Sequence, residues 1–345
     1  MRVMLDTTFA ARGPYAGTGV YLEHLQDVFS QIDGIEIVQA SNPRRRPPAG
    51  GGAGSIRNLA TDLWWTGVEL PRLARRAGAD LIHHPLPAWS PVARVPQVVT
   101  VIDLAFERLP DHFDRRFRTY AHYYHRAAAR AADAVICVSE TTAADARELW
   151  GITPEKIVVA PLGAGQPFEL SRPDRAAQAT YFLYVGDDEP RKNLGVLLAA
   201  YRIYRERAER PLDLVLAGSA SAEMAGVRVE RRPGARQLAE LYLGAAALVH
   251  PSLYEGFGLT PVEAMGLGTP VLAARSPGIL EICADAVRYA DPRAPVSFAG
   301  AMAELANDSS LRHELSARGK RRAAEFSWET CARRHLDAYS LALGA

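Results

Sequence analysis

Short runs of Val, Ile, Leu and Ala recur along the chain, separated by longer stretches with helical period. In the first half the runs fall at 2–6, 35–40, 80–84, 98–103, 134–139 and 157–163. In the second half they fall at 181–186, 212–218, 246–252 and 270–274. They are apolar without strict alternation, which predicts parallel strands covered on both faces. Between them, Leu194, Leu197, Leu198, Tyr201 and Tyr204 fall close to one stripe, as an amphipathic helix requires. The βαβα order predicts doubly wound parallel sheets, and two such sets predict two domains. The junction is expected in the Gly- and Pro-containing stretch 163–174. Residues 41–55, "SNPRRRPPAGGGAGS", read as a solvated loop, or alternatively as one that gathers an acceptor or an anionic surface.

The 345 residues suit two domains, and 48% hydrophobic with 23% charged content suits globular cores. A net charge of +1 removes the global electrostatic case for nucleic acid as partner. Cys137, Cys283 and Cys331 are far apart and lack metal-ligand spacing, so packing in a reducing compartment is expected. The opening "MRVMLDTTFAARG" turns polar too soon for a signal peptide, and no run reaches membrane-spanning length. A cytoplasmic location is therefore expected, with peripheral contact at the inner face of a membrane left open.

Three segments carry candidate chemistry. In "HPSLYEGFGLTPVEAMGLG", Glu255 and Glu263 lie eight positions apart among glycines, just after a predicted strand, where α/β folds bind ligands. Thr260, Pro261 and Glu263 also fit a helix cap, first turn and capping box, so Glu263 has a purely structural reading. Glu255 has none, and sugar hydroxyls would suit it. In "YVGDDEPRKNL", Arg191 and Lys192 precede a predicted helix and suit a diphosphate, since helix N-termini already favour anions. Asp187 and Asp188 beside them make a poor metal site. In "YAGTGVYLEHL", Gly17 and Gly19 resemble a phosphate-approach loop but lack the third glycine of a dinucleotide fingerprint.

Taken together, these segments resemble the retaining glycosyltransferases of family 4, of the group 1, mannosyltransferase-like kind. Similar also are "DLVLAG", "AVICVSETTAADARELWGITPEKIVVAPLG", "VIDLAFERLP" and "FSWETCARRHLDAY". The resemblance implies a GT-B fold: two Rossmann-like parallel-sheet domains facing across a cleft. Residues 1–168 would bind the acceptor, 169–325 the nucleotide sugar, and 326–345 would form a helix packing back on the first domain. It implies transfer of a hexose from a nucleotide-diphosphate sugar to a glycan, lipid-linked or small-molecule hydroxyl, with retention and without a metal or bound cofactor. Carried over by position, Glu263 would hold the ribose and Glu255 the transferred sugar. Gly256, Phe257, Gly258 and Leu259 would offer backbone amides, and Arg191 and Lys192 would meet the diphosphate. Gly17, Gly19 and Ser139 would approach the donor from the first domain, Ser139 being equally readable as a helix cap. Where relatives have a histidine before the aspartate of "TVIDL", this chain has Ile102, leaving Asp103 as the polar group. That departure motivates an alternative, a catalytically weakened protein that binds a sugar nucleotide as partner of another transferase.

Overall fold

The computed structural model describes residues 1–8, 17–45, 53–164 and 180–344, without the side chains of 53–56. Most of the expected junction at 163–174, the 168/169 boundary and the middle of the 41–55 stretch lie outside the described residues. The chain divides into two compact units. The first comprises Met1–Glu107, Asp114–Gly163 and Trp328–Ala345; the second comprises Arg108–Phe113 and Ala164–Ser327.

The first unit holds a six-stranded sheet in the order β2-β1-β3-β4-β5-β6. The strands are β1 (Arg2–Asp6), β2 (Glu36–Ala40), β3 (Leu81–His84), β4 (Gln97–Val101), β5 (Ala134–Cys137) and β6 (Ile157–Val159). All neighbours pair in parallel. Leu81, Ile82, Val98, Val99, Val135 and Ile136 are fully buried, which explains their uninterrupted apolar character. The run expected at 98–103 ends early, at Val101. The helix Glu140–Trp150 then starts from an N-cap at Ser139 and stops at Gly151, whose left-handed backbone (φ 66°) costs a glycine little.

The last helix, Trp328–Leu343, belongs to this unit and packs on the helix Gly17–Phe29 and on β4, β5 and β6. Its buried residues Trp328, Cys331, Ala332, His335, Ala338 and Tyr339 recur at helical spacing. Trp328 stacks on His24, with ring centroids 4.8 Å apart. A side chain at Gly163 would collide with its indole.

Beneath this helix runs a chain of buried hydrogen bonds. Tyr339 meets His83 Nδ1 at 2.9 Å, and His83 Nε2 meets Thr100 at 2.8 Å. Thr100 meets Tyr21 at 3.1 Å, Tyr21 meets His335 Nε2 at 2.6 Å, and His335 Nδ1 meets the Cys331 carbonyl at 2.8 Å. The last acceptor, a carbonyl, fixes every donor before it: Tyr339 donates to His83, His83 to Thr100, Thr100 to Tyr21, Tyr21 to His335 and His335 to Cys331. This direction satisfies each group only if both imidazoles are neutral. Burial lowers His83 well below the usual imidazole range, helped by His335, and takes His335 to about 4.

The second unit has a six-stranded sheet in the order β12-β11-β10-β7-β8-β9. Its strands are β7 (Tyr181–Gly186), β8 (Asp213–Gly218), β9 (Val227–Arg231), β10 (Ala245–His250), β11 (Val271–Ala274) and β12 (Arg288–Ala290). They too are all parallel. The helix Leu194–Arg207 buries Leu194, Leu197, Ala200, Tyr201 and Tyr204, while Leu198 is only half-buried. This face packs with Phe182, Leu214, Leu216, Phe298 and Met302 into one core. Burying each such side chain is worth about 1.5–3 kcal/mol. The edge strands β9 and β12 have no counterpart among the predicted runs. Both are half-exposed and carry charged residues, so they lack the continuous apolar signature. The parallel crossover from β8 to β9 uses only residues 219–226, which contain no helix.

Candidate functional site

The chain leaves β7 for β8 and β9 on one side, then returns to place β10 on the other. The topological switch point of this sheet therefore lies between β7 and β10, and crevices outside the carboxyl ends of such strands bind ligands. The segments after these two strands carry Arg191, Lys192 and Glu255.

The two segments are laced together. The Leu253 amide donates to the Arg191 carbonyl at 2.9 Å. Asn193 sits in the left-handed region (φ 59°), which asparagine tolerates better than most residues. Its side-chain amide donates to the carbonyls of Pro251 (3.1 Å) and Pro292 (2.8 Å). On the other side, Gly278 opens the helix Pro277–Cys283 so close to the loop that a Cβ there would collide with the Glu255 carbonyl. Gly258 (φ 97°) precedes the helix Leu259–Leu267. Phe257 packs edge-on against Phe326, with centroids 5.4 Å apart.

This scaffold brings three of the expected residues into contact. Lys192 Nζ lies 2.6 Å from Glu255 Oε1, and Arg191 Nη1 lies 3.1 Å from Glu255 Oε2. Arg191 also pairs with the more exposed Glu189 at 2.9 Å. The Glu255 side chain is 9% exposed and those of Arg191 and Lys192 are 17% exposed, so the cluster is nearly enclosed yet reachable. Burial would raise the Glu255 carboxyl. Lys192, His250 and Arg191 outweigh it and hold the group well below the usual carboxylate range. At neutral pH the site thus contains a carboxylate clamped by two cations, whereas Glu255 reads from sequence as awaiting a sugar and Arg191 and Lys192 as awaiting phosphate.

Glu263 lies in the Leu259–Leu267 helix and is buried. Its Oε2 accepts from the Tyr242 hydroxyl at 2.8 Å. The capping-box reading fails because the helix starts two residues earlier than expected. Its N-cap is Gly258, which has no side chain, and Thr260 is already helical. Thr260 Oγ1 instead lies 3.3 Å from His250 Nδ1.

The remaining expected residues belong to the first unit. Gly17 and Gly19 lie inside the first turn of Gly17–Phe29 rather than before it, and the preceding residues 9–16 are outside the described set. Asp103, half-buried, accepts from the Ala105 amide at 3.0 Å and opens the short helix Ala105–Arg108. Ser139 is fully buried, accepts from the Thr142 amide and donates to the Thr142 hydroxyl, both at 3.0 Å. The cap, of its two sequence readings, is the one the structure displays.

Sequence reasoning passed over His250, Tyr242, Asn193 and Gly278. Asn193 reaches Pro251 because β10 lies beside β7, whereas His250, Tyr242 and Gly278 meet their partners through the folding of the segments just before and after β10, which no spacing motif announces. Among the described residues no His, Cys, Asp and Glu cluster fits a metal ion, and no helix is long and apolar enough to cross a membrane.

Residues 168–322 match the family described as glycosyl transferases group 1, and residues 18–164 match glycosyltransferase family 4. The O-antigen chain mannosyltransferase B of Escherichia coli is 28% identical over 292 residues, which is 78% of this chain and 76% of that protein. Among solved structures, sucrose-phosphate synthase from Thermosynechococcus elongatus superposes with a TM-score of 0.77 at 19% identity over 98% of each chain. Anabaena HepE, solved with UDP-glucose, gives 0.70 at 16% identity over 99% of each chain. Both halves match glycosyltransferase families in succession and the whole fold is shared with such structures, so the chain belongs to the GT-B glycosyltransferases.

Proposed function

We propose that the chain transfers a hexose, with retention and without a metal, from a nucleoside-diphosphate sugar to an acceptor hydroxyl of a glycan, a lipid-linked sugar or a small molecule. The observation that carries this reading is the Arg191–Lys192–Glu255 cluster at the switch point of the second unit, beside the N-terminus of Leu259–Leu267.

Transfer leaves a diphosphate whose negative charge grows as the glycosidic bond breaks. Lys192 and Arg191 are fixed by the loops that carry them and need little reorganisation to face that charge. At ~4 Å and an effective dielectric near 20, each cation is worth about 4 kcal/mol before desolvation. Glu255 accepts hydrogen bonds only, which suits it to the hydroxyls of the sugar being transferred. Glu263, steadied by Tyr242, offers the same chemistry to the ribose. The amides at Gly256, Phe257, Gly258 and Leu259 lie where the helix dipole favours phosphate. Retention follows from front-face transfer, in which the departing phosphate oxygen receives the acceptor proton. The UDP-glucose complex of HepE and the mannosyltransferase relative support a sugar-nucleotide donor.

The experiment is a panel of UDP-, GDP-, ADP- and dTDP-hexoses with EDTA present, read by thermal shift, nucleotide release and the anomeric NMR signal of the product. Stabilisation and release with one donor, lost in Glu255→Gln while the circular dichroism spectrum is kept, is the expected result. Absence of any response across donors and acceptors overturns the reading, and turnover only on adding a divalent metal overturns its metal-free part.

A further inference from the structure

The strand β10 reads Ala-Ala-Ala-Leu-Val-His, and its single polar residue, His250, is its last and is almost fully buried. A buried imidazole carries a desolvation cost that an apolar side chain would avoid, so its nitrogens are the reason to look closely. Nε2 lies 3.3 Å from Glu255 Oε1 but off the line of a good hydrogen bond. Nδ1 lies 3.3 Å from Thr260 Oγ1. The ring therefore bridges the carboxylate and the first turn of the helix that follows it.

We propose that His250 is a positioning residue for Glu255: a neutral imidazole with its proton on Nε2 and Nδ1 accepting from Thr260, standing behind the carboxylate. The proposal rests on the transferase reading above. Lys192 is the close partner of Glu255 Oε1. A diphosphate arriving at the site competes for Lys192. As that contact loosens, Oε1 loses its closest donor, and the Nε2 proton is the group positioned to replace it. Glu255 then stays in place, charged and oriented, while it accepts from the sugar. The charged groups facing the ring are Glu255, Lys192 and Arg191. Burial and the two cations lower the imidazole, and Glu255 opposes them without prevailing, consistent with a neutral ring.

Three variants test this in the full chain. His250→Phe keeps the bulk and removes both nitrogens, His250→Gln keeps a donor, and Thr260→Val frees Nδ1. With the donor identified by the panel, His250→Phe is expected to lower kcat by about 10-fold or more, with donor KM changed less and the melting temperature kept within a few degrees. His250→Gln should restore most of kcat, and Thr260→Val should show a smaller loss in the same direction. Full activity in His250→Phe overturns the proposal, as does equal damage by Phe and Gln in folded proteins. A second readout is independent of turnover: long-range 1H–15N correlation on histidine-labelled protein, with His250 assigned by its loss in His250→Gln. The expected signal is an Nε2-protonated, neutral ring at pH 7. An Nδ1-protonated or charged ring overturns the positioning role even if the transferase reading stands. The expected tautomer with no turnover on any donor upholds the geometry and moves the failure to the reading of function.

Discussion

The hydrogen-bond chain beneath the last helix makes a quantitative prediction about acid stability. In the folded state His335 is held at about 4 by burial, while an unfolded chain has an ordinary imidazole near 6.5. Between these values the unfolded state binds the proton and the folded state does not. Stability is therefore complete above about pH 6.5, falls as pH drops, and levels off below about 4. At pH 5, the ratio of proton binding in the two states corresponds to a loss of about 2 kcal/mol from His335 alone. All five tryptophans of the chain (Trp64, Trp65, Trp89, Trp150 and Trp328) lie in the first unit, so their fluorescence reports its unfolding separately from the second. Urea unfolding followed by tryptophan emission should lose several kcal/mol between pH 7 and pH 5, because His83 and His125, also lowered by burial, act in the same direction. In His335→Gln the unit should be less stable at pH 7 by roughly 1–3 kcal/mol, the cost of an unsatisfied buried partner. Its pH dependence should be shallower than wild type by about 2 kcal/mol over the same interval. An identical pH dependence in the two proteins would refute the neutral-imidazole argument.

Three further outcomes follow from the second unit. Lys192→Ala should reduce kcat by about 10²–10³-fold, the usual cost of deleting one preorganised charge-stabilising donor, and unchanged turnover would remove Lys192 from the site. Tyr242→Phe removes the hydroxyl that holds Glu263 and should raise donor KM, with about 1–3 kcal/mol lost in thermal or chemical denaturation; an unaltered KM would detach Glu263 from donor binding. Gly278→Ala must push the Pro277–Cys283 helix away from the Glu255 carbonyl, so activity should fall more than stability does. Wild-type kinetics in that variant would show that the loop tolerates the shift.

The order of apolar runs and helical stretches was enough to predict two parallel-sheet domains. A strand buried on both faces must be apolar throughout, and that constraint is local. The edge strands β9 and β12 escaped because a half-exposed strand carries charges, as Val-Arg-Val-Glu-Arg does in β9. Glu255, Arg191 and Lys192 were legible as chemistry because charged residues set among glycines after a strand are costly unless they are used. Their mutual pairing was not legible. It depends on β10 lying beside β7, and this neighbourhood is created by the reversal of strand order rather than by any spacing in the sequence. Ser139 and Thr260 show the same division at a smaller scale. Both suited a helix cap, but the backbone set the starts of the helices, giving Ser139 the cap and placing Thr260 inside a turn, facing His250. Composition and periodicity are local and were fixed by the sequence alone. The charge state of Glu255 arises from the cations that β7 brings beside it, which outweigh its burial, and the neutral imidazoles of the His83–His335 hydrogen-bond chain arise from burial under the last helix; only the tertiary structure decides either.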